Sequence, residues 1–197
     1  MEKIRDVLKK HGFTFKKSLG QNFLTDENLL DSIAEAAGIG KSDTVVEIGC
    51  GAGTLTRALS KLAGRVYAYE IDRDLRPVLA ETLAGCENTE VIFRDFSKEN
   101  LGELYREIGE YTVVANLPYY VTTPIVTRLL EEGAGVRGVC VMVQQEVAER
   151  FAAKEDTPEY GAITAAIALR GTAKIVKKVG RNMFYPAPNV DSAVVKI

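Results

Sequence analysis

Apolar positions along the chain fall into short continuous runs and into helix-spaced sets, and the two kinds alternate. The run Thr44-Val45-Val46-Glu47-Ile48 is too apolar and β-branched for a half-exposed strand, so it predicts a parallel strand covered on both faces. Comparable runs at 65–71, 90–94, 111–115, 138–144, 173–179 and 193–197 predict six further strands. Spaced apolar positions predict helices over 4–10, 27–37, 74–84, 98–108, 124–131 and 161–169, one from the glycine turn to 62, and one beginning at Gln144. Asp26 is placed to cap the helix over 27–37 and Gly38 to end it. The alanine-rich helix over 161–169 is expected to pack tightly. Strands alternating with helices make the chain α/β.

Composition narrows the class without naming a function. A chain of 197 residues with 46% hydrophobic and 26% charged residues suits one globular domain with a real core. No apolar run approaches the ~20 residues of a membrane-spanning helix, and the charged N-terminus is unlike a signal peptide. Cys50, Cys86 and Cys140 are few and far apart, which fits free thiols in a reducing cytoplasm. His11 is the only histidine, so zinc chemistry and Ser–His–Asp catalysis are not expected. The net charge of −2 conceals two basic ends. Lys3, Arg5, Lys9, Lys10, Lys16 and Lys17 crowd one, while Arg170, Lys174, Lys177, Lys178 and Arg181 lie in a stretch without acids. Charge alone leaves open a phosphate-facing surface or two solvated faces.

Candidate chemistry begins where the first strand ends. Gly49, Gly51 and Gly53 follow it within five residues and precede a helix. Glycine lets the backbone turn sharply and approach a ligand closely, and a helix start offers free N–H groups. This makes a nucleotide-type site, or else a tight turn with no ligand. A dinucleotide fingerprint would place its third glycine at 54, where Thr54 stands. The pattern Glu47-x-Gly49-x-Gly51-x-Gly53 instead resembles the first motif of S-adenosylmethionine-dependent methyltransferases with a Rossmann-like fold. Glu70, at the carboxyl end of the second strand, can accept both ribose hydroxyls, and its apolar neighbours argue against a solvated loop acid. Asp95-Phe96 ends the third strand and suits an adenine ring, with Asp95 accepting from the amine and Phe96 against the face. Asp95 serves also as an N-cap for the helix over 98–108, and the two roles are compatible.

Asn116-Leu117-Pro118-Tyr119-Tyr120 is the most specific stretch. The amine of adenine is a poor nucleophile because its lone pair is delocalised into the ring. Acceptors on its two hydrogens, from the Asn116 side chain and the Leu117 carbonyl, favour a pyramidal nitrogen with the lone pair free. Pro118 keeps those acceptors aimed, and an aromatic beyond it can stack on the base. Tyr119 is the stacking candidate, while Tyr120 is expected only to pack.

Together with Gln21-Asn22-Phe23-Leu24 and the late Phe184-x-Pro186-x-Pro188-x-Val190-x-Ser192, these motifs resemble the rRNA adenine dimethyltransferases across nearly the whole chain. Asn-Leu-Pro-Tyr-Tyr is similar to the small-subunit type, whereas relatives acting on 23S rRNA usually carry Asn-Ile-Pro-Tyr. Cys50 departs from the proline of many members, a change a small side chain should tolerate. The resemblance implies a Rossmann-like fold whose seven-stranded, mostly parallel sheet has helices on both faces and its last strands antiparallel to the rest. It implies that S-adenosylmethionine is held by Asn22, Leu24, Gly49, Gly51, Gly53, Glu70, Asp95 and Asn116, with residues 1–25 supplying a basic segment and a loop over the cofactor. Asn116, Leu117, Pro118, Tyr119 and Phe184 are implied at the target base, Phe184 opposing Tyr119 or else simply packing in the core.

The expected reaction is dimethylation at N6 of two adjacent adenosines near the 3′ end of small-subunit rRNA, presented in an immature 30S particle. No metal, no membrane and a cytoplasmic monomer are expected. Family members normally continue into a small helical C-terminal domain beyond the last strand, so residues 1–197 are read as the catalytic domain, able to fold and bind cofactor but gripping the particle weakly. A 23S-directed methylase and a non-catalytic 30S assembly factor are the alternatives.

Overall fold

The computed structural model describes residues 4–16 and 19–197, with Tyr119 described by its backbone alone. In chain order the elements are α1 (Ile4–Lys10), β1 (Phe23–Leu24), α2 (Glu27–Ala37), β2 (Thr44–Ile48), α3 (Thr54–Leu62), β3 (Arg65–Tyr69), α4 (Arg76–Thr82), β4 (Thr89–Ile92) and α5 (Leu101–Ile108). They continue with β5 (Tyr111–Asn116), α6 (Tyr119–Glu132), β6 (Val136–Gln144), α7 (Gln145–Phe151), α8 (Ala162–Ala168), β7 (Lys174–Val179), β8 (Phe184–Tyr185) and β9 (Ser192–Lys196). Seven strands form one sheet in the order β4-β3-β2-β5-β6-β9-β7. The order reverses between β2 and β5, and this switch point leaves a crevice beyond the strand ends.

Alternation along each strand divides the core into two layers. Val46, Ile48, Val113, Val141 and Val195 face α5, α6 and α7 through Leu104, Leu129 and Phe151. Val45, Val66, Val114, Met142 and Val194 face α2 and α3 through Leu30, Ile33 and Leu59. α1 and α4 pack nearby, joining Val7 and Leu8 to Val78, Leu79 and Ala68. Helices thus cover both faces, as expected.

Local chemistry explains the best-defined element. Asp26 Oδ1 accepts the Leu29 N–H at 2.8 Å, and Gly38 ends α2 at φ 70°, where side chains are strained. Other expectations need correction. Only β9 runs antiparallel: it pairs antiparallel with both β6 and β7, so β7 points the same way as the rest. α6 starts at Tyr119 rather than at Pro124, which lies inside it. Pro118 precedes the first turn, and the Thr122 hydroxyl donates to its carbonyl at 3.1 Å. α8 is not tightly packed: only Thr164 and Ile167 are buried in it, and Leu169 just beyond is 86% exposed.

The unanticipated element is the two-stranded ribbon of β1 and β8. Leu24 pairs with Phe184 and Phe23 with Tyr185. It ties the early loop to the late proline-rich loop across the mouth of the crevice.

Candidate active site

The carboxyl ends of β2, β3 and β5 open on a cavity of about 640 Å³. Its wall contains Asn22, Leu24, Gly49, Gly51, Glu70, Asp95, Asn116, Leu117, Pro118 and Phe184. Gly53 stands apart. It precedes α3 at φ 81°, and a Cβ there would lie 2.9 Å from Leu79 Cδ2, so its smallness serves packing away from the cavity. Tyr119 was the stacking candidate, and its side chain lies outside the described residues. Tyr120, expected only to pack, is 64% exposed and lies on the cavity wall.

Two glycines of the turn have no room for a side chain. Gly49 has φ 72° and Gly51 φ 56°, both in the left-handed region. A Cβ on Gly51 would lie 2.8 Å from Phe23 Cε1, and one on Gly49 would lie 3.0 Å from Leu117 Cδ2. The turn therefore sits between the N-terminal loop and the Asn116-Leu117-Pro118 loop. Cys50, between these glycines, is buried, and burial with the nearby Glu47 and Glu70 pushes its thiol well above the usual range. A protonated thiol is a space-filler.

Glu70 is 6% exposed, not a solvated loop acid. Its Oε2 accepts the Gly51 N–H and its Oε1 the Asp72 N–H, each at 2.8 Å. Burial raises its carboxyl above the ordinary range, opposed by those N–H bonds. The Ile71 N–H also acts on this carboxylate, which still has acceptor capacity left for a hydroxyl donor. Asp95 does not cap α5, whose cap is Asn100; it caps only the 3-10 turn Phe96–Lys98, its Oδ1 accepting from Ser97 N–H at 3.0 Å and from the Ser97 hydroxyl at 2.7 Å. No described residue bonds its other oxygen, which leaves it open to a further donor. Phe96 is buried edge-on against Tyr69, with centroids 5.1 Å apart.

Asn116 closes β5, and its Nδ2 approaches the Asn22 carbonyl at 3.5 Å. Asn22 in turn donates to the Gly20 carbonyl at 3.0 Å. Leu24 and Phe184 are 1% and 4% exposed, sharing one core cluster while also lining the cavity. Core packing of Phe184 is therefore real.

Several side chains have parts in the site that their sequence patterns do not assign. Glu47 lies under the glycine turn, 2% exposed, and burial raises its carboxyl to about 8, with Thr56 opposing and Glu70 adding. The Thr56 hydroxyl faces Glu47 without a well-formed hydrogen bond, so it offsets that burial only in part. Arg128 reaches from α6 to the carbonyls of Phe96, Ser97 and Glu99 and fixes the loop after Asp95. Lys16 and Gln21 bind the buried Asp72. The basic ends divide: Lys10 pairs with Glu81 and Lys16 with Asp72 and Asp74, whereas Arg170, Lys174, Lys177, Lys178 and Arg181 are exposed on and around the edge strand β7. Lys3 and Lys17 lie outside the described residues. Among those residues no group of His, Cys, Asp or Glu is arranged to hold a metal, and no helix is long and apolar enough to cross a membrane.

A glycine turn crowded against Phe23 and Leu117, an acid at the next strand end and an open-sided acid at the third fit a nucleoside. With the strand order and the Asn-Leu-Pro loop, they define a Rossmann-like S-adenosylmethionine-dependent methyltransferase. The pattern of the family described as "Ribosomal RNA adenine dimethylase" matches residues 12–197. "Ribosomal RNA small subunit methyltransferase A" of Bacillus licheniformis is 48% identical over 197 residues, covering 98% of this chain and 68% of that protein. Among solved structures, "23S rRNA methyltransferase ErmE" and "a dimethyladenosine transferase from Plasmodium falciparum" each superpose with a TM-score of 0.78 at 32% identity, covering 88% of this chain and 68% and 62% of theirs. The chain belongs to the ribosomal RNA adenine dimethylase family.

Proposed function

We propose that this chain methylates N6 of two adjacent adenosines near the 3′ end of small-subunit rRNA, each twice, within an immature 30S particle in the cytoplasm, acting as a monomer. The observation that carries the reading is the position of Asn116, Leu117 and Pro118 at the tip of β5, on the cavity wall shared with Gly49, Gly51 and Glu70. S-adenosylmethionine, when bound, supplies a methyl group on a good sulfonium leaving group. Glu70 would hold its ribose, Asp95 its adenine, and the backbone at Gly49 and Gly51 would let it lie close, with Asn22 and Leu24 covering it.

The remaining chemistry belongs to the chain. The Asn116 side-chain oxygen and the Leu117 carbonyl accept from the target amine and direct its lone pair outward. Pro118, at φ −53°, stiffens that loop, and Phe184 supports the base from the core side. No strong base is needed before transfer, so rate comes from orientation and electrostatics. The exposed lysines and arginines around β7 suit phosphate contacts.

A large-subunit target is the second reading, favoured by the likeness to the 23S enzyme, but the higher identity to small-subunit methyltransferases supports the first. Labelled methyl transfer should be measured on 30S particles lacking dimethylation, on free 16S rRNA and on 23S rRNA. Label confined to 30S supports the reading; label on 23S rRNA alone overturns it.

A further inference from the structure

The loop over the cavity is tied at its far end by the β1–β8 ribbon and at its start by a cluster of polar contacts to the residues after β3. Lys16 Nζ lies 2.6 Å from Asp72 Oδ1 and 2.6 Å from Asp74 Oδ2. Gln21 Nε2 donates to Asp72 Oδ2 at 2.8 Å, and Gln21 Oε1 accepts the Lys16 N–H at 2.8 Å. The Asp72 side chain is 0% exposed. A carboxylate taken out of water needs charged or N–H donors on both oxygens, and the early loop supplies two of its three, the third being the Asp74 N–H at 3.1 Å.

What this fastening touches gives it meaning. Residues 19–24 beyond it line the cavity. A Cβ on Gly20 would lie 3.0 Å from Pro118 Cβ, so the strap rests on the Asn116-Leu117-Pro118 loop. The Asn22 carbonyl faces Asn116 Nδ2 at 3.5 Å, and donation there leaves the Asn116 oxygen as the acceptor for the target amine. On the other side, the Asp72 N–H is held by Glu70, which also holds Gly51. One contiguous set of contacts thus joins the ribose acceptor, the strap and the residue at the target base.

We propose that Lys16, Gln21 and Asp72 form a latch that holds residues 19–22, ahead of the β1–β8 ribbon, closed over bound cofactor and keeps the Asn116 amide oriented. These are positioning residues, and the proposal rests on the cofactor reading of this cavity. Cofactor exchange then requires the latch to open, and breaking it speeds release.

The test uses S-adenosylhomocysteine bound to the full chain and chased with excess S-adenosylmethionine, with release followed by stopped flow. Lys16→Met and Asp72→Asn should each release it about tenfold faster, and the double variant no faster than either, because one latch is broken once. Salt should speed release from the unsubstituted chain and leave Lys16→Met unchanged. Lys61→Met, which removes the exposed pair with Asp31, should release at the original rate. The kcat of Lys16→Met should fall while its KM for RNA holds. If Asp72→Asn fails to fold, Lys16→Met and Gln21→Ala report the latch from the strap side. Release at the original rate from Lys16→Met, or multiplied effects in the double variant, overturns the latch alone. Failure of the unsubstituted chain to bind S-adenosylhomocysteine overturns the cofactor reading and the latch with it.

Discussion

Glu70 Oε2 accepts the Gly51 N–H at 2.8 Å, so the acid proposed for the ribose also holds the glycine turn in place. Glu70→Ala leaves two N–H groups, those of Gly51 and the buried Asp72, without their partner, at a cost of about 1–3 kcal/mol for the buried one and less for the other. Thermal unfolding should fall accordingly, and calorimetry should show cofactor affinity at least about tenfold weaker. Stability falling with cofactor affinity intact would confine Glu70 to the turn.

Gly51→Ala tests the cradle itself. At φ 56°, with a Cβ contact of 2.8 Å to Phe23, alanine should cost about 1–3 kcal/mol in denaturant unfolding and abolish measurable cofactor binding. Unfolding and affinity both equal to the unsubstituted chain would contradict the tight approach.

Glu47 predicts a pH dependence with a definite sign. Its folded pKa, about 8, lies above the ordinary 4.5, so between those values the folded state holds the proton that the unfolded state has lost. Its contribution is fully present below about 4.5 and is lost as pH rises through about 8, with a slope of up to about 1.4 kcal/mol per pH unit. Glu47→Gln should flatten that decline in urea titrations run across this window. Some slope should persist from Glu70, whose pKa is also raised. An unchanged slope would mean Glu47 is not the group responsible.

Much of this was legible because local signals agreed. Asp26 and Gly38 bracket an amphipathic run, and α2 appears between them. The β-branched run before Gly49 forms β2, and Glu70 and Asn116 fall at strand ends on one rim because parallel strands point the same way. Illegible features join residues far apart. Lys16 and Asp72 are 56 positions apart, and no pattern on either side announces their pairing. The β1–β8 ribbon is two residues per strand, too short for periodicity. Pro124 lies inside α6, whose start at Tyr119 follows Pro118, and apolar spacing over 124–131 marks only the later part of that helix. α8 was read as tightly packed from alanine content, but small side chains do not decide which face is covered.

Phe184 carries two roles that a conservative change can separate. Phe184→Leu keeps an apolar group against Leu24 and should cost about 1–3 kcal/mol of stability. Base–aromatic stacking is worth about 1–3 kcal/mol, so methyl transfer should drop about tenfold more than cofactor affinity. Equal, small changes in both would leave Phe184 a core residue only.

The central claim is that Asn116 orients the target amine on a cavity that binds the cofactor independently. The most direct measurement compares Asn116→Ala with the unsubstituted chain in labelled methyl transfer to 30S particles lacking dimethylation, with cofactor affinity measured on the same samples. Transfer into dimethyladenosine should fall by about 10²–10³-fold, with affinity changed no more than about tenfold. Transfer by Asn116→Ala at the original rate would contradict the account.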